Sequence, residues 1–227
     1  MTGPVTLLVL AKAPVPGLAK TRLTPPFSPH QAAALAAAAL LDTLDAIRGA
    51  HRLIGGPTPV VALTGDLARA AAADALRTSL RQLRVIHQRG DSLGERIAAA
   101  HADAGPSTLQ IGMDTPQVDA ALLAGIAGRL VAGGGPAAVL GPATDGGWWA
   151  LGLRDSGQAG LLVSVPTSTP FTGERTRQAL RRGGSDPELV APLTDVDDAE
   201  TCAAVAAQAP GTRFARLAQT LAEGVPA

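Results

Sequence analysis

The chain has 227 residues and a formal net charge of zero, with 19 Lys+Arg against 19 Asp+Glu. That length suits one well-filled domain, and the charge balance argues against a nucleic-acid coat or a polybasic membrane-surface protein. A single cysteine, Cys202, excludes an intrachain disulfide or a cysteine-based zinc site, and His30, His51, His87 and His101 lack close metal-ligand spacing.

The opening MTGPVTLLVLAKAP has no basic residue before its apolar run, which ends at Lys12. The run is about half of a bilayer span, so it is expected to form a buried first strand, Val5–Ala11, in a cytoplasmic protein. Lys12–Pro29 is a proline-braced loop. Ser28 and Pro29 then start an Ala/Leu helix running to about Arg48. Further strands are predicted at Pro59–Thr64, Leu83–His87, Thr108–Gly112, Ala137–Leu140, Trp148–Leu153 and Gly160–Val165. Helices are predicted at Asp66–Leu80, Leu93–Ala104, Gln117–Ala132, Gly173–Arg182, Ala199–Ala209 and Thr212–Leu221. The early alternation of strand and helix gives a doubly wound, mostly parallel α/β sheet, becoming mixed in the C-terminal half, in one domain spanning residues 1–227.

Two departures in composition bear on function. The chain has no tyrosine and only 2% aromatic residues, so its core must be built from Ala, Leu and Val. Its only lysines are Lys12 and Lys20, both in the loop after the first strand.

Ligands of open α/β sheets bind beyond the carboxyl ends of the strands. There the sequence places Lys12, Gly17, Lys20 and Arg22 after the first strand and Gln88 and Arg89 after the third. Asp114 follows the fourth, Asp145, Gly146 and Gly147 lie between the next two, and Asp195, Asp197 and Asp198 come near the end. Cations from one loop and carboxylates from later ones suit a phosphate chain bridged to aspartates by Mg²⁺ or Mn²⁺. KAPVPGLAKTRL is not a Walker A loop, because two residues separate Gly17 from Lys20. The loop reads as a phosphate contact or as a solvated surface loop.

Asp114 reads as a metal ligand or as a turn residue before a helix capped by Thr115 with Pro116 first. Asp145 in TDGGWW reads equally as a hairpin turn, with Gly146 and Gly147 admitting a ligand close to the backbone. Trp148 and Trp149 must point to opposite faces of a strand, so at most one lines a pocket. Asp198 is the expected cap of the following helix, which leaves Asp195 or Asp197 as a second metal ligand or as part of a solvated acidic turn. His51 and His101 fall near helix ends, where an imidazolium is favourable. No Ser-His-Asp arrangement or G-x-S-x-G elbow is visible.

Five ordered segments, LVLAKAPVPGLAKTRL, QRGDSLGERI, IGMDTPQV, LGPATDGGWWALGL and LTDVDDAET, resemble the bacterial rSAM/selenodomain-associated transferase 1 family over about residues 5–205. The resemblance implies a Rossmann-like GT-A fold shared with nucleotide-sugar glycosyltransferases and nucleotidyltransferases. It implies phosphate binding by Lys12, Lys20 and Arg22 and metal binding by Asp114 and Asp197; Lys20, Asp114 and Asp145 are the expected catalytic residues. Asp197 matches the first Asp of the Asp-Thr-Pro-Glu-Asp ending of cytidylyltransferases, where this chain has Ala199 for Pro and Thr201 for the last Asp. The expected reaction is metal-dependent nucleotidyl transfer from an NTP to a small phosphorylated or oxyanion acceptor. Glycosyl transfer from an NDP-sugar and an inactive nucleotide-binding module are the alternatives. Nucleotide and acceptor are the expected partners, with no nucleic acid or membrane.

Overall fold

The computed structural model describes residues 4–223. Met1–Gly3 of the opening segment and the last four residues of the expected domain lie outside that range. Among the described residues, seven strands form one sheet in the order β3-β2-β1-β4-β6-β5-β7. They are β1 Thr6–Lys12, β2 Val60–Thr64, β3 Arg84–His87, β4 Thr108–Ile111, β5 Ala138–Pro142, β6 Trp148–Leu153 and β7 Glu188–Leu189. The β3-β2-β1-β4 half is parallel, β6 runs antiparallel to β4 and β5, and β7 pairs parallel with β5. This is a GT-A-like fold with a parallel half and a mixed half.

The helices are α1 Pro29–Ile54, α2 Ala73–Leu80, α3 Leu93–Ala104, α4 Ala120–Val131, α5 Thr172–Arg182, α6 Ala199–Gln208 and α7 Arg213–Glu223. Alternate residues of β1 face opposite layers. Leu7, Val9 and Ala11 pack with α1 and α4, whereas Leu8 meets Ala100 and Ala104 of α3. Chain connections therefore diverge between β1 and β4, which makes the crevice at their carboxyl ends the topological switch point. No helix among the described residues is long and apolar enough to cross a membrane.

Four segments differ from expectation. The helix α1 continues to Ile54 because no breaker intervenes before Gly55, and Gly49 lies against Ala120 of α4 without ending the helix. The segment expected as one helix from Asp66 breaks into a 3-10 turn, Leu67–Arg69, and α2. Gly160–Val165 is not a strand. It falls largely within a 3-10 helix, Ser156–Ser164, whose buried residues Ser156, Ala159 and Leu162 recur every third position. A short apolar run cannot be assigned by hydrophobicity alone, and here Gly94 decides the packing: a Cβ on it would lie 2.4 Å from the Leu162 carbonyl oxygen. Finally, α4 starts at Ala120 with Asp119 as its cap, so Thr115 does not cap it.

A separate apolar cluster lies beneath the loop after β1 and the turn before α6. Leu23 from the first loop, Val196 from the acidic turn and Phe214 from α7 are buried together with Leu35, Cys202 and Val205. Asp42 of α1 closes this cluster, its carboxylate accepting the backbone N–H groups of Arg213 and Phe214 at 3.1 and 2.8 Å. Those are amides that a helix start leaves without partners in the helix.

Candidate active site

The loop after β1 and the turn before α6 meet over one apolar cluster, into which the loop inserts Leu23 and Phe27 and the turn inserts Val196. The backbone completes the junction: Val196 N–H donates to the Asp114 carbonyl at 2.9 Å. Lys20 is then held between two carboxylates, with Nζ 3.0 Å from Asp114 Oδ1 and 3.2 Å from Asp197 Oδ1. Its backbone adopts the left-handed region at φ 49°, costly for a residue with a side chain, which aims the ammonium inward. Burial opposes the charge, but Asp114 and Asp197 outweigh it and hold the Lys20 pKa above its ordinary value. Arg22 reaches the other oxygen of Asp197 at 3.4 Å from a side chain 75% exposed, against 12% for Lys20. The strong pairing is therefore that of Lys20.

Three carboxylates converge beside this pair. Asp145, Asp195 and Asp197 each offer an oxygen, and the three oxygens lie within 4.8 Å of one another. Burial first, then Asp145 and Asp197, push the Asp195 carboxyl up to about 6. Hard oxygen donors gathered at this spacing fit Mg²⁺ or Mn²⁺, which would relieve the repulsion among them. The stretch carrying Asp195 is tied to the β5–β6 turn by Thr144 N–H donating to the Leu193 carbonyl, and to the approach to α4 by Gln117 donating to the Thr194 carbonyl.

Asp145 also closes the turn that its sequence suggests, accepting Gly147 N–H at 2.7 Å. Of the two departures in the last motif, the one at Thr201 has a structural basis. Thr201 Oγ1 accepts the backbone N–H groups of Asp197 and Asp198 at 2.9 Å, and Asp198 caps α6 as expected. A hydroxyl thereby fixes the Asp197 backbone where the resembling motif has a carboxylate.

Several expected binding residues have protein partners of their own, and Gln88, Arg89, Gly17 and Gly146 line neither hollow beside the aspartates. Arg89 pairs with both carboxylate oxygens of Asp103 at 2.7 Å, on the far end of α3. Gln88 donates to the Ala11 and Ala62 carbonyls, tying the ends of β1 and β2. Lys12 donates to the Leu18 carbonyl at 2.8 Å and braces the first loop, while Gly17 lies at that loop's exposed outer turn. Gly146 admits protein backbone in place of a ligand, whereas Gly147 lies against the Asp145 carboxylate and lines the larger of these hollows. A Cβ on Gly146, at φ 88°, would sit 2.0 Å from the Pro170 carbonyl oxygen, and the Gly146 carbonyl accepts Gly173 N–H. His101 is not an imidazolium. It is buried, bonded to Thr108 and Gln110, and burial lowers its pKa to about 4.

Two hollows flank the Lys20–aspartate cluster. The smaller one, about 300 Å³, is lined by Lys12, Lys20, Thr21, Arg22, Asp114 and Asp197. The other, about 370 Å³, reaches from Asp114, Asp145 and Asp195 past Trp148 to Thr172 and Thr176. Trp148 reaches this cavity from one sheet face, while the Trp149 side chain joins the core on the other and donates Nε1–H to the Ala191 carbonyl. The sequence pointed to Thr115 only as a helix cap and did not single out Thr172 or Thr176, because isolated threonines carry no spacing signal.

No curated protein matches the chain significantly. Solved structures share its fold. A "putative nucleotide-diphospho-sugar transferase" of Desulfovibrio desulfuricans G20 superposes with a TM-score of 0.78 at 24% identity, covering 98% of this chain and 95% of that one. Rv0371c of Mycobacterium tuberculosis H37Rv, in complex with manganese, gives 0.52 at 19% identity, covering 96% and 100%. CMP:2-keto-3-deoxy-manno-octonic acid synthetase complexed with CTP gives 0.56 at 10% identity, covering 96% and 100%. Residues 48–169 match the family model described as "Uncharacterized protein conserved in bacteria (DUF2064)". That match takes in more than half of the sequence, including β2–β4, Asp114 and Asp145, and the chain belongs to the DUF2064 family.

Proposed function

We propose that this chain transfers a nucleotidyl group from a nucleoside triphosphate to a small acceptor with the help of Mg²⁺ or Mn²⁺. The observation that carries the reading is Lys20, buried between Asp114 and Asp197 at the β1–β4 switch point. A buried ammonium next to a carboxylate cluster provides both charges that a metal-bridged polyphosphate requires. Asp197, Asp195 and Asp145 would hold the cation, with Asp114 joined to them across Lys20. When bound, the cation supplies charge neutralisation on the phosphates. Lys20 and Arg22 bind and orient the triphosphate from the first loop, and Lys12 keeps that loop in shape. An acceptor oxygen forms a bond to the α-phosphorus, giving up its proton to water where it is a hydroxyl, the bond from that phosphorus to the bridging oxygen breaks, and pyrophosphate leaves. The manganese of Rv0371c and the CTP of the synthetase, both on this fold, support the reading.

The test compares ligands at equal concentration with Mg²⁺ present. At least one NTP should raise the melting temperature more than any NDP-sugar, since stabilisation follows occupancy of the folded state. Preference for an NDP-sugar, with release of free sugar, would establish glycosyl transfer instead. Response to neither class would leave a non-catalytic module.

A further inference from the structure

We propose that the 370 Å³ cavity beside the aspartates receives an uncharged, hydroxyl-bearing acceptor, not the phosphorylated or oxyanion acceptor that the sequence suggests. This rests on the transferase reading and narrows its second substrate. Among the described residues that line the cavity there is no lysine, arginine or histidine; the charged ones are Asp114, Asp145 and Asp195. An anion entering would find no cationic side chain in that lining, and before a cation binds it would meet like charge at those carboxylates. The helix end nearby offers it little, because the first amides of α5, Thr172 and Gly173, already donate to the carbonyls of Thr169 and Gly146.

The polar groups that remain suit a neutral hydroxyl. Thr115 and Thr176 are 3% and 1% exposed, both line the cavity, and the hydroxyl oxygen of each is buried without a hydrogen-bond partner. A buried hydroxyl left unpaired is costly, and each can donate to and accept from an alcohol. Much of the remaining lining is apolar, including Leu93, Ile97, Leu162 and Trp148. Two unpartnered hydroxyls within a largely apolar lining suit a polyol or sugar, and the volume lies in the range of small-molecule sites.

Trp148 provides the assay, because the chain has only two tryptophans and no tyrosine. Matched probes are titrated without nucleotide or metal: methyl glucoside against glucose 6-phosphate, and glycerol against glycerol 3-phosphate. The expected result is saturable change in tryptophan fluorescence by a neutral member, with its phosphorylated partner binding about tenfold more weakly or worse. Thr176→Val should weaken the neutral probe about fivefold, the worth of one neutral hydrogen bond, and Thr176→Ser should restore it. Trp148→Phe should remove the signal. Equal or tighter binding of the phosphorylated members, no saturation by either neutral member, or an unchanged Thr176→Val would overturn the proposal. Because nucleotide is absent, such a failure is separate from failure of the NTP test.

Discussion

Lys20 Nζ lies 3.2 Å from Asp197 Oδ1, although 177 positions separate the two residues in the chain. Neither side chain fixes that distance. Leu23, three residues past the lysine, and Val196, one before the aspartate, are both buried in the cluster around Phe214. The charged pair is thus positioned by apolar packing beneath it.

The first prediction concerns phosphate binding. Lys20→Ala removes the buried ammonium from between Asp114 and Asp197 and leaves those carboxylates to repel a polyphosphate. Calorimetric titration should show triphosphate affinity falling by about tenfold to a hundredfold, the range of a charge-assisted contact. Lys12→Ala should have a smaller effect, since Lys12 bonds the Leu18 carbonyl within its own loop. Wild-type affinity in Lys20→Ala would reduce the loop to a surface feature.

Metal binding should rank the aspartates. Asp197 belongs both to the three converging carboxylates and to the Lys20 pair, whereas Asp114 takes part only in the pair. Titration with Mn²⁺, read by paramagnetic resonance, should therefore find Asp197→Ala the weakest binder and Asp114→Ala less impaired. The opposite ranking would return the leading ligand role to Asp114, as family resemblance implies.

The limits of the sequence follow from the range of each interaction. Lys20, Asp114 and Asp197 were legible because each follows a strand or precedes a helix, and a parallel sheet carries such positions to one end. The approach of Asp145 to Asp195 was not, because it depends on the Ala143–Leu193 bridge between segments 50 residues apart. QRGDSLGERI looked like a ligand loop, yet Ser92 and Glu95 form a capping box for α3 and Arg96 bonds the Gly90 carbonyl. Capping and ligand loops draw on the same residue types, and only the partner atoms distinguish them. The role of Asp42 at the start of α7 was hidden for the same reason, since nothing local to α1 marks a carboxylate that caps a helix 171 positions away.

Stability should depend on pH through His101. In the fold its pKa is near 4, mainly because of burial, against 6.5 for the unperturbed side chain. Between these values the unfolded chain binds a proton that the folded one does not. The contribution is therefore fully present above about pH 6.5 and is lost as pH falls towards 4, by about 3 kcal/mol in total. Denaturant unfolding of wild type and His101→Gln, compared at neutral pH and near pH 4, should show a smaller acid loss in the variant. Equal losses would mean that the ring titrates alike in both states.

Phe214→Ala separates folding from binding. Phe214 is fully buried and touches the cluster that holds both Leu23 and Val196. Truncating an aromatic ring in such a place costs about 3–5 kcal/mol, which denaturant unfolding would register. The cavity would also loosen the two segments that bring Lys20 to Asp197, so metal and triphosphate affinity should fall in the variant that remains folded. Asp42→Ala acts on the same cluster from outside. It leaves the Arg213 and Phe214 amides without their carboxylate acceptor and should destabilise by about 1–2 kcal/mol, as loss of a helix cap does. Its effect on ligand affinity should be the smaller, because the apolar side chains stay in place. If Phe214→Ala lost stability yet bound metal and triphosphate as wild type does, the apolar cluster would support the fold without setting the geometry of the site.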